Sequence, residues 1–178
     1  EWIKLFGVLF GREQQAKEFF DAQVAHIEPI LEKEKTGLSV AFFAVASDGT
    51  VTVRKPNDYV SSMIELAGGT YSLNGYVEEE ENALSTLKMQ MEDFYAAEKD
   101  TDILIYNGTI EGELTSIAEL VQKNSLFADF KAVKSGQVYT TGSNFYQQTS
   151  GTCDFIEDLN KVLTGDTDAE YRFLKKLD

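Results

Sequence analysis

Leu38 to Ala46 reads LSVAFFAVA, nine residues with one serine and no charge. Val40, Val45, Phe42 and Phe43 make this a strand, and the lack of polar alternation makes it a strand covered on both faces. Ile103 to Tyr106, ILIY, repeats the signature over a shorter length. A sheet covered on both faces needs helices above and below it, and helical patterns do alternate with the strand-like runs. The order predicts an α/β three-layer sandwich with a mainly parallel central sheet. A chain of 178 residues is enough for one domain with a proper core, and twelve Phe and eight Tyr exclude a disordered chain.

Trp2, Leu5, Phe6, Leu9 and Phe10 recur at helical spacing, pause at Gly11, and continue through Ala16, Phe19, Phe20, Val24, Ile27, Ile30 and Leu31. This spacing predicts one long amphipathic helix ended by Thr36-Gly37. Ser47-Asp48-Gly49 is a hairpin turn into a second short strand, VTVR. Pro56-Asn57-Asp58 caps a helix from Tyr59 to Ala67 that Gly68-Gly69 stops. The segment from Tyr71 to Ser85, with Glu78 to Glu81 in a row, reads as a solvated loop. Leu84 to Met91 fits either helix or strand. A short helix, MEDFYAAEKD, then precedes the ILIY strand. Thr115 opens a helix carrying Ile117, Leu120 and Val121, whose apolar side continues in Leu126, Phe127 and Phe130. Ala132 to Tyr139 reads as a short β segment around a Ser-Gly turn. A last helix carries Phe155, Ile156, Leu159, Val162 and Leu163, followed by a solvated tail with Asp166, Asp168 and Glu170.

A net charge of −14 repels phosphate backbones and excludes nucleic acid as a partner. The single Cys153 excludes a disulfide framework and a zinc ribbon, and leaves the compartment open. No apolar run reaches the length of a membrane span, and no signal peptide opens the chain. The first residues already sit inside a helical pattern, so the natural start is expected further upstream. Phosphate loops, G-x-G-x-x-G after a strand, and G-x-S-x-G are all missing. His26, the one histidine, falls on the first long helix and reads as an ordinary helix residue rather than a catalyst or metal ligand. Cys153 reads as a packed thiol. Asp166, Asp168 and Glu170 lack the glycine and spacing of a calcium loop. The residues therefore point to binding rather than catalysis, with no metal site and no cofactor.

Open α/β sheets bind ligands at the C-terminal ends of their strands. Three loops read as lying there: Arg54 to Tyr59 after the first strand pair, Tyr106 to Thr109 after ILIY, and Gly142 to Gln147 after Val138-Tyr139. Each mixes aromatics with hydrogen-bonding groups, as a pocket rim does. Taken alone, composition balances that reading evenly against ordinary surface loops.

The segments VAFFAV-SDG-VTVRKPNDYV, MIELAGGTY, TLKMQMEDFYAAEKDTDILIYN and FKAVKSGQVY, in this order, resemble the C-terminal lobe of a known family. It is that of the substrate-binding proteins of ABC importers for iron–siderophore complexes, haem and cobalamin. Gly68-Gly69 looks like the family's Gly-Gly after a lobe helix, and Ala132-Val133-Lys134, Gly136 and Val138-Tyr139 match its AVK-x-G-x-VY segment. Thr101-Asp102 stands where a Pro-Asp pair is common. The matching order covers nearly the whole chain.

The resemblance implies one lobe of a two-lobed binding protein, with residues 1–178 as a single C-terminal lobe. Residues 1–35 would be a helical segment just after the inter-lobe helix, and the N-terminal lobe would be absent. It implies capture of an iron chelate, haem or a corrinoid in the inter-lobe cleft and delivery to ABC permease subunits. The location would be the periplasm, or the cell surface as a lipoprotein of a Gram-positive bacterium, with any lipid anchor on the missing N-terminal part. A monomer is expected. The ligand contacts it suggests are Arg54, Tyr59, Tyr106, Asn107, Phe145, Tyr146 and Gln147. Arg54 and Lys55 suit catecholates; Tyr106, Phe145 and Tyr146 suit the ring of haem or a corrin. Glu111 and Glu113 are the acids expected to dock on the permease, against a competing role in balancing the dipole of the helix after Thr115. A flavodoxin-like or chelatase-like enzyme domain with the same layered fold is the alternative, and a pure interaction module the third reading.

Overall fold

The computed structural model describes residues 2–76, 84–166 and 170–178. The acidic run at 78–81 and Asp168 lie outside the described residues. In chain order the elements begin with α1 (Trp2–Leu9), α2 (Glu13–Leu31), β1 (Ser39–Val45), β2 (Val51–Arg54), α3 (Tyr59–Leu66), β3 (Thr70–Tyr71) and β4 (Thr86–Met89). They continue with α4 (Met91–Glu98), β5 (Ile103–Tyr106), α5 (Gly108–Glu111), α6 (Ile117–Lys123) and α7 (Lys131–Lys134), and end with β6 (Val138–Thr141), α8 (Thr152–Thr164) and β7 (Leu174–Lys176).

The strands form one sheet in the order β4-β2-β1-β5-β6-β7, with β3 paired to the start of β1. The centre is parallel: β1 runs alongside β5, and β5 alongside β6. The outer pairings, β1–β2, β2–β4 and β6–β7, are antiparallel. The parallel character thus belongs to the central strands, where helical crossovers connect neighbours; of the antiparallel pairs only β1–β2 is a tight hairpin, while β2–β4 and β6–β7 are joined through α3 and α8.

The alternation of side chains along β1 builds the two helical layers. Phe43 points to one face, where it stacks on Phe94 of α4 at 5.0 Å and on Phe127 at 5.5 Å between ring centroids. Phe130 and Tyr95 extend that aromatic group. Phe42 points to the other face, against Phe145 at 6.0 Å, and Phe145 lies 4.5 Å from Phe155 of α8. Such ring pairs contribute about 0.5–1.5 kcal/mol each beyond their buried area, so the aromatic count of the sequence is spent on both faces of the sheet.

Several expectations change in detail. The first helical pattern is two helices, because Gly11 adopts a left-handed φ of +62° and breaks the ladder between α1 and α2. Leu84 to Met91 resolves as strand β4: Leu87 and Met89 are buried and Lys88 is exposed, the alternation of a half-covered edge strand. Ala132-Val133-Lys134 is helix α7 rather than strand. It ends in a paired Schellman closure, with the Gln137 N–H on the Ala132 carbonyl at 2.8 Å and the Gly136 N–H on the Val133 carbonyl at 3.2 Å.

Thr115 is not the cap of α6. Ser116 is, with its hydroxyl accepting from the Glu119 N–H at 3.3 Å while the Glu119 carboxylate accepts the Thr115 N–H at 2.7 Å. A capping box needs its acid three residues inside the helix, and Ser116 and Glu119 satisfy that spacing. At the C-terminal end, Asp166 and Glu170 are exposed as read, but the chain then returns to the sheet as β7. Asp158 of α8 holds it there, its Oδ2 accepting the N–H groups of Arg172, Phe173 and Leu174 at 2.9, 2.7 and 3.2 Å.

Candidate functional site

Arg54 ends β2, and its Cα lies beside β4 and one pairing step below the Phe43↔Val53 rung of β1. Because β2 is antiparallel to β1, the chain leaves Arg54 running against its direction after β5 and β6, from a rung level with Phe42 and Ile105. The first of the three loops thus departs in the opposite direction from the other two, yet Tyr59 at its end lies at the same hollow as Tyr146. Arg54 joins the others through its side chain, which lies on the Phe42 face and reaches the Tyr146 hydroxyl.

That hydroxyl is the hub of the site. It accepts from Arg54 Nη2 and, at 2.8 Å, from Asn107 Nδ2. Arg54 also donates to Ser85 Oγ at 3.2 Å and, at 3.5 Å, to the Tyr59 hydroxyl. Its guanidinium lies over the rings of Tyr146 and Tyr59, 5.0 and 5.2 Å from their centroids, within range of cation–π attraction. Asp58 supplies the nearest carboxylate at 3.7 Å, while its other oxygen caps α3 through the Val60 N–H at 3.0 Å. Burial works against the charge on Arg54, which is only 8% exposed. The facing Tyr146, Tyr59 and Asp58 outweigh it and hold the guanidinium above its ordinary range. Burial raises the Tyr59 phenol, so that it stays a neutral hydroxyl.

Beside this group is a hollow of about 130 Å³ between the start of α3, the first turn of α8 and the segment after β6. Tyr59 and Tyr146 form its lip, and Met63, Phe145, Phe155 and Phe173 its floor. Phe145 is 7% exposed and touches Phe42, Phe155 and Phe173, so it supports the hollow from beneath rather than standing at the rim. Gln147 is exposed.

Tyr106 departs furthest from expectation. As the partner of Phe43 across the β1–β5 ladder it projects to the opposite face, fully buried, edge-on to Phe43 at 5.7 Å. Lys123 of α6 covers its ring at 5.6 Å, so this ring offers nothing to the site. Asn107, one residue later, points the other way, and its Oδ1 caps α5 through the Thr109 N–H at 3.2 Å. Arg54, Tyr59, Asn107 and Tyr146 are therefore brought together with Phe145 below, whereas Tyr106 is turned away. Asp58, Met63, Phe155 and Phe173 were not picked out as site residues. Asp58 was legible only as a cap, and Phe173 stands just before β7, a strand too short to show a period.

Glu111 and Glu113 are both exposed. Glu113 Oε1 accepts the Ser143 N–H at 2.8 Å and ties the loop after β6 to the loop after α5. Glu111 belongs to the single turn of α5, and Glu119 is the carboxylate that takes part in the cap of α6. Cys153 is buried and its thiol is raised by burial, consistent with packing. His26 is more than a plain helix residue: its Nε2 meets Glu157 Oε2 of α8 at 2.7 Å.

A family model described as "Periplasmic binding protein" matches residues 1–145. An uncharacterized lipoprotein of Methanocaldococcus jannaschii is 24% identical over 165 residues, 92% of this chain and 38% of that protein. Two solved structures share the fold at a TM-score of 0.73. The TroA-like periplasmic binding protein FepB from Veillonella parvula has 14% identity and is matched over 99% of this chain and 60% of its own. A protein of an ABC-type Fe3+-hydroxamate transport system from Saccharomonospora viridis has 18% identity, over 90% of this chain and 53% of its own. The chain thus spans less than two thirds of the curated relative and of both structures. Among the described residues, no helix is long and apolar enough to cross a membrane.

Proposed function

The chain belongs to the periplasmic binding protein family, and from that premise we propose that it forms one wall of a ligand cleft for a ferric chelate, haem or a corrinoid. This is a family of extracytoplasmic binding proteins, not of enzymes, which removes the flavodoxin-like or chelatase-like alternative. The observation that carries the proposal is the Arg54 guanidinium held between the rings of Tyr59 and Tyr146, with Asn107 fixed to the same hydroxyl, at the lip of an apolar hollow. A cation flanked by two rings suits a flat or chelated ligand bearing negative charge, and ferric siderophores and haem propionates both answer to that description. The hollow, at about 130 Å³, is smaller than the roughly 300–1,000 Å³ of pockets that enclose drug-sized ligands. A second wall, from sequence outside residues 1–178, completes the enclosure in this proposal.

The wider role follows as part of the same reading: delivery of the ligand to an ABC permease by a monomeric protein of the periplasm or, as a lipid-anchored protein, of the cell surface. Glu111 and Glu113, exposed and without a capping duty, are the proposed docking acids. Charge reversal at both is expected to reduce uptake by the whole protein while leaving ligand affinity intact; undiminished uptake would remove them from the interface.

The direct test is titration calorimetry against ferric hydroxamates, ferric catecholates, haem and cobalamin. It would compare the natural full-length protein with the 178-residue chain. Ordering a ligand costs about 4–15 kcal/mol however many walls are present. Losing half the contacts at the same cost should therefore weaken binding by about a hundredfold or more. Arg54→Met in the full-length protein should weaken an anionic ligand and spare a neutral one. Equal affinity of the 178-residue chain and the full-length protein would show that the chain holds a complete site.

A further inference from the structure

α2 and α8 pack along one another, and at their contact three potential metal donors meet. Asp154 and Glu157 lie three residues apart on α8 and so on one face of it, and His26 faces them from α2. One ligand atom from each of the three lies within 4.8 Å of the others, and all three residues are half-buried, open to ions but shielded from bulk water. None of them lines the hollow beneath Tyr146.

The orientation of the carboxylates is the informative feature. Asp154 gives its Oδ2 to Arg172 Nη1 at 2.5 Å and turns its Oδ1 to the imidazole, 3.9 Å from Nδ1. Glu157 gives its Oε1 to Lys161 Nζ at 2.9 Å and turns its Oε2 to the imidazole, 2.7 Å from Nε2. Each acid is thus gripped on one oxygen by a cation, leaving the other turned to the imidazole, Asp154 on the Nδ1 side and Glu157 on the Nε2 side; one ion would take one of these nitrogens, with the farther carboxylate turning to reach it. Outer partners that orient ligating carboxylates are a common feature of metal centres.

We propose that His26, Asp154 and Glu157 form a binding site for a first-row divalent cation such as Zn2+, bridging α2 to α8. One imidazole nitrogen and two carboxylate oxygens suit zinc, cobalt or manganese, whereas calcium takes six to eight oxygens. Ligands about 2.0–2.2 Å from a tetrahedral metal stand about 3.3 Å apart. Admitting the ion thus opens the His26–Glu157 separation by well under an ångström and replaces the hydrogen bond by coordination. The remaining positions go to water. Two cations already neutralise the acids from outside, so the site binds the ion more weakly than a structural zinc centre does. Its consequence is mechanical: a bound ion cross-links the N-terminal helical arm to the body of the lobe.

The test is calorimetric titration of the metal-stripped 178-residue protein with Zn2+, with Co2+ absorption as a second probe of the donor set. The expected result is one saturable site per chain, visible-range Co2+ bands, and a melting temperature that rises with Zn2+ concentration. His26→Gln should weaken binding by more than about tenfold, and Cys153→Ser, a neighbour outside the donor set, should leave it unchanged. Asp154→Asn serves as a second probe should His26→Gln fail to melt cooperatively in chelator. No stoichiometric uptake, uptake unchanged in both variants as on any acidic surface, or loss of uptake in Cys153→Ser would each overturn the proposal.

Discussion

Tyr146→Phe removes one oxygen and leaves two donors without their acceptor: Arg54 Nη2 and Asn107 Nδ2. Arg54 is 8% exposed, and its other contacts are Ser85 at 3.2 Å, Tyr59 at 3.5 Å and Asp58 at 3.7 Å. A hydrogen bond to a charged group contributes about 1.5–3 kcal/mol and a neutral one about 0.5–1.5 kcal/mol. Tyr146 is only half-buried, so water recovers part of that sum, and the expected loss is about 2 kcal/mol. For a domain of this size that corresponds to a fall of about 4–8 °C in melting temperature. Tyr59→Phe is the internal control. Tyr59 is 51% exposed and its hydroxyl stands at the 3.5 Å limit, so its removal should cost less than about 0.5 kcal/mol. Urea denaturation followed by circular dichroism measures both. Equal costs for the two variants, or a Tyr146→Phe protein as stable as the wild type, would refute the assignment of that hydroxyl as the hub.

Two further outcomes follow from buried groups. Glu98 is wholly buried, one carboxylate oxygen accepting from Thr101 at 2.5 Å, and burial raises it above the ordinary carboxyl range. The folded protein holds this proton more tightly than the unfolded chain, so its contribution to stability is complete at low pH and declines as pH rises through that range. Glu98→Gln should therefore gain on the wild type as pH rises from the ordinary carboxyl range upward in parallel denaturation curves, and a constant difference would count against this raised carboxyl. Gly108→Ala would place a Cβ 2.3 Å from the Thr141 carbonyl oxygen. Main-chain atoms yield little, so a loss of about 1–3 kcal/mol is expected in the same assay, and a neutral effect would mean that the two loops are free to separate.

Periodicity is a local property, and whatever it governs was readable in the chain. The LSVAFFAVA and ILIY strands, the Asp58 cap, the α8 helix and the layered α/β class follow from residues within one turn or one pleat of each other. The family resemblance rested on the same local segments in order. Where two local patterns were short or overlapping, the reading stopped: TLKM alternates over only four residues, and LKK of β7 is shorter than a period can show. Chain direction was legible where a tight turn sets it, as the Ser47-Asp48-Gly49 hairpin does for β1 and β2, but not for β2–β4 or β6–β7, whose partners lie far apart in the chain.

The site depended on that missing information. Pleat parity fixed Tyr106 beneath Lys123 and sent Asn107 to the opposite side, although the two are adjacent in sequence. The register of β2 set Arg54 beside Phe42, and its side chain, on the Phe42 face, met Tyr146, a partner 92 residues away. The pairing of His26 with Asp154 and Glu157 is of the same kind, with 131 residues separating His26 from Glu157. Local sequence thus determined which groups the chain carries and which elements hold them. Which groups meet was decided by the packing of helices and strands distant in the chain, because contact between them exists only once the core has closed.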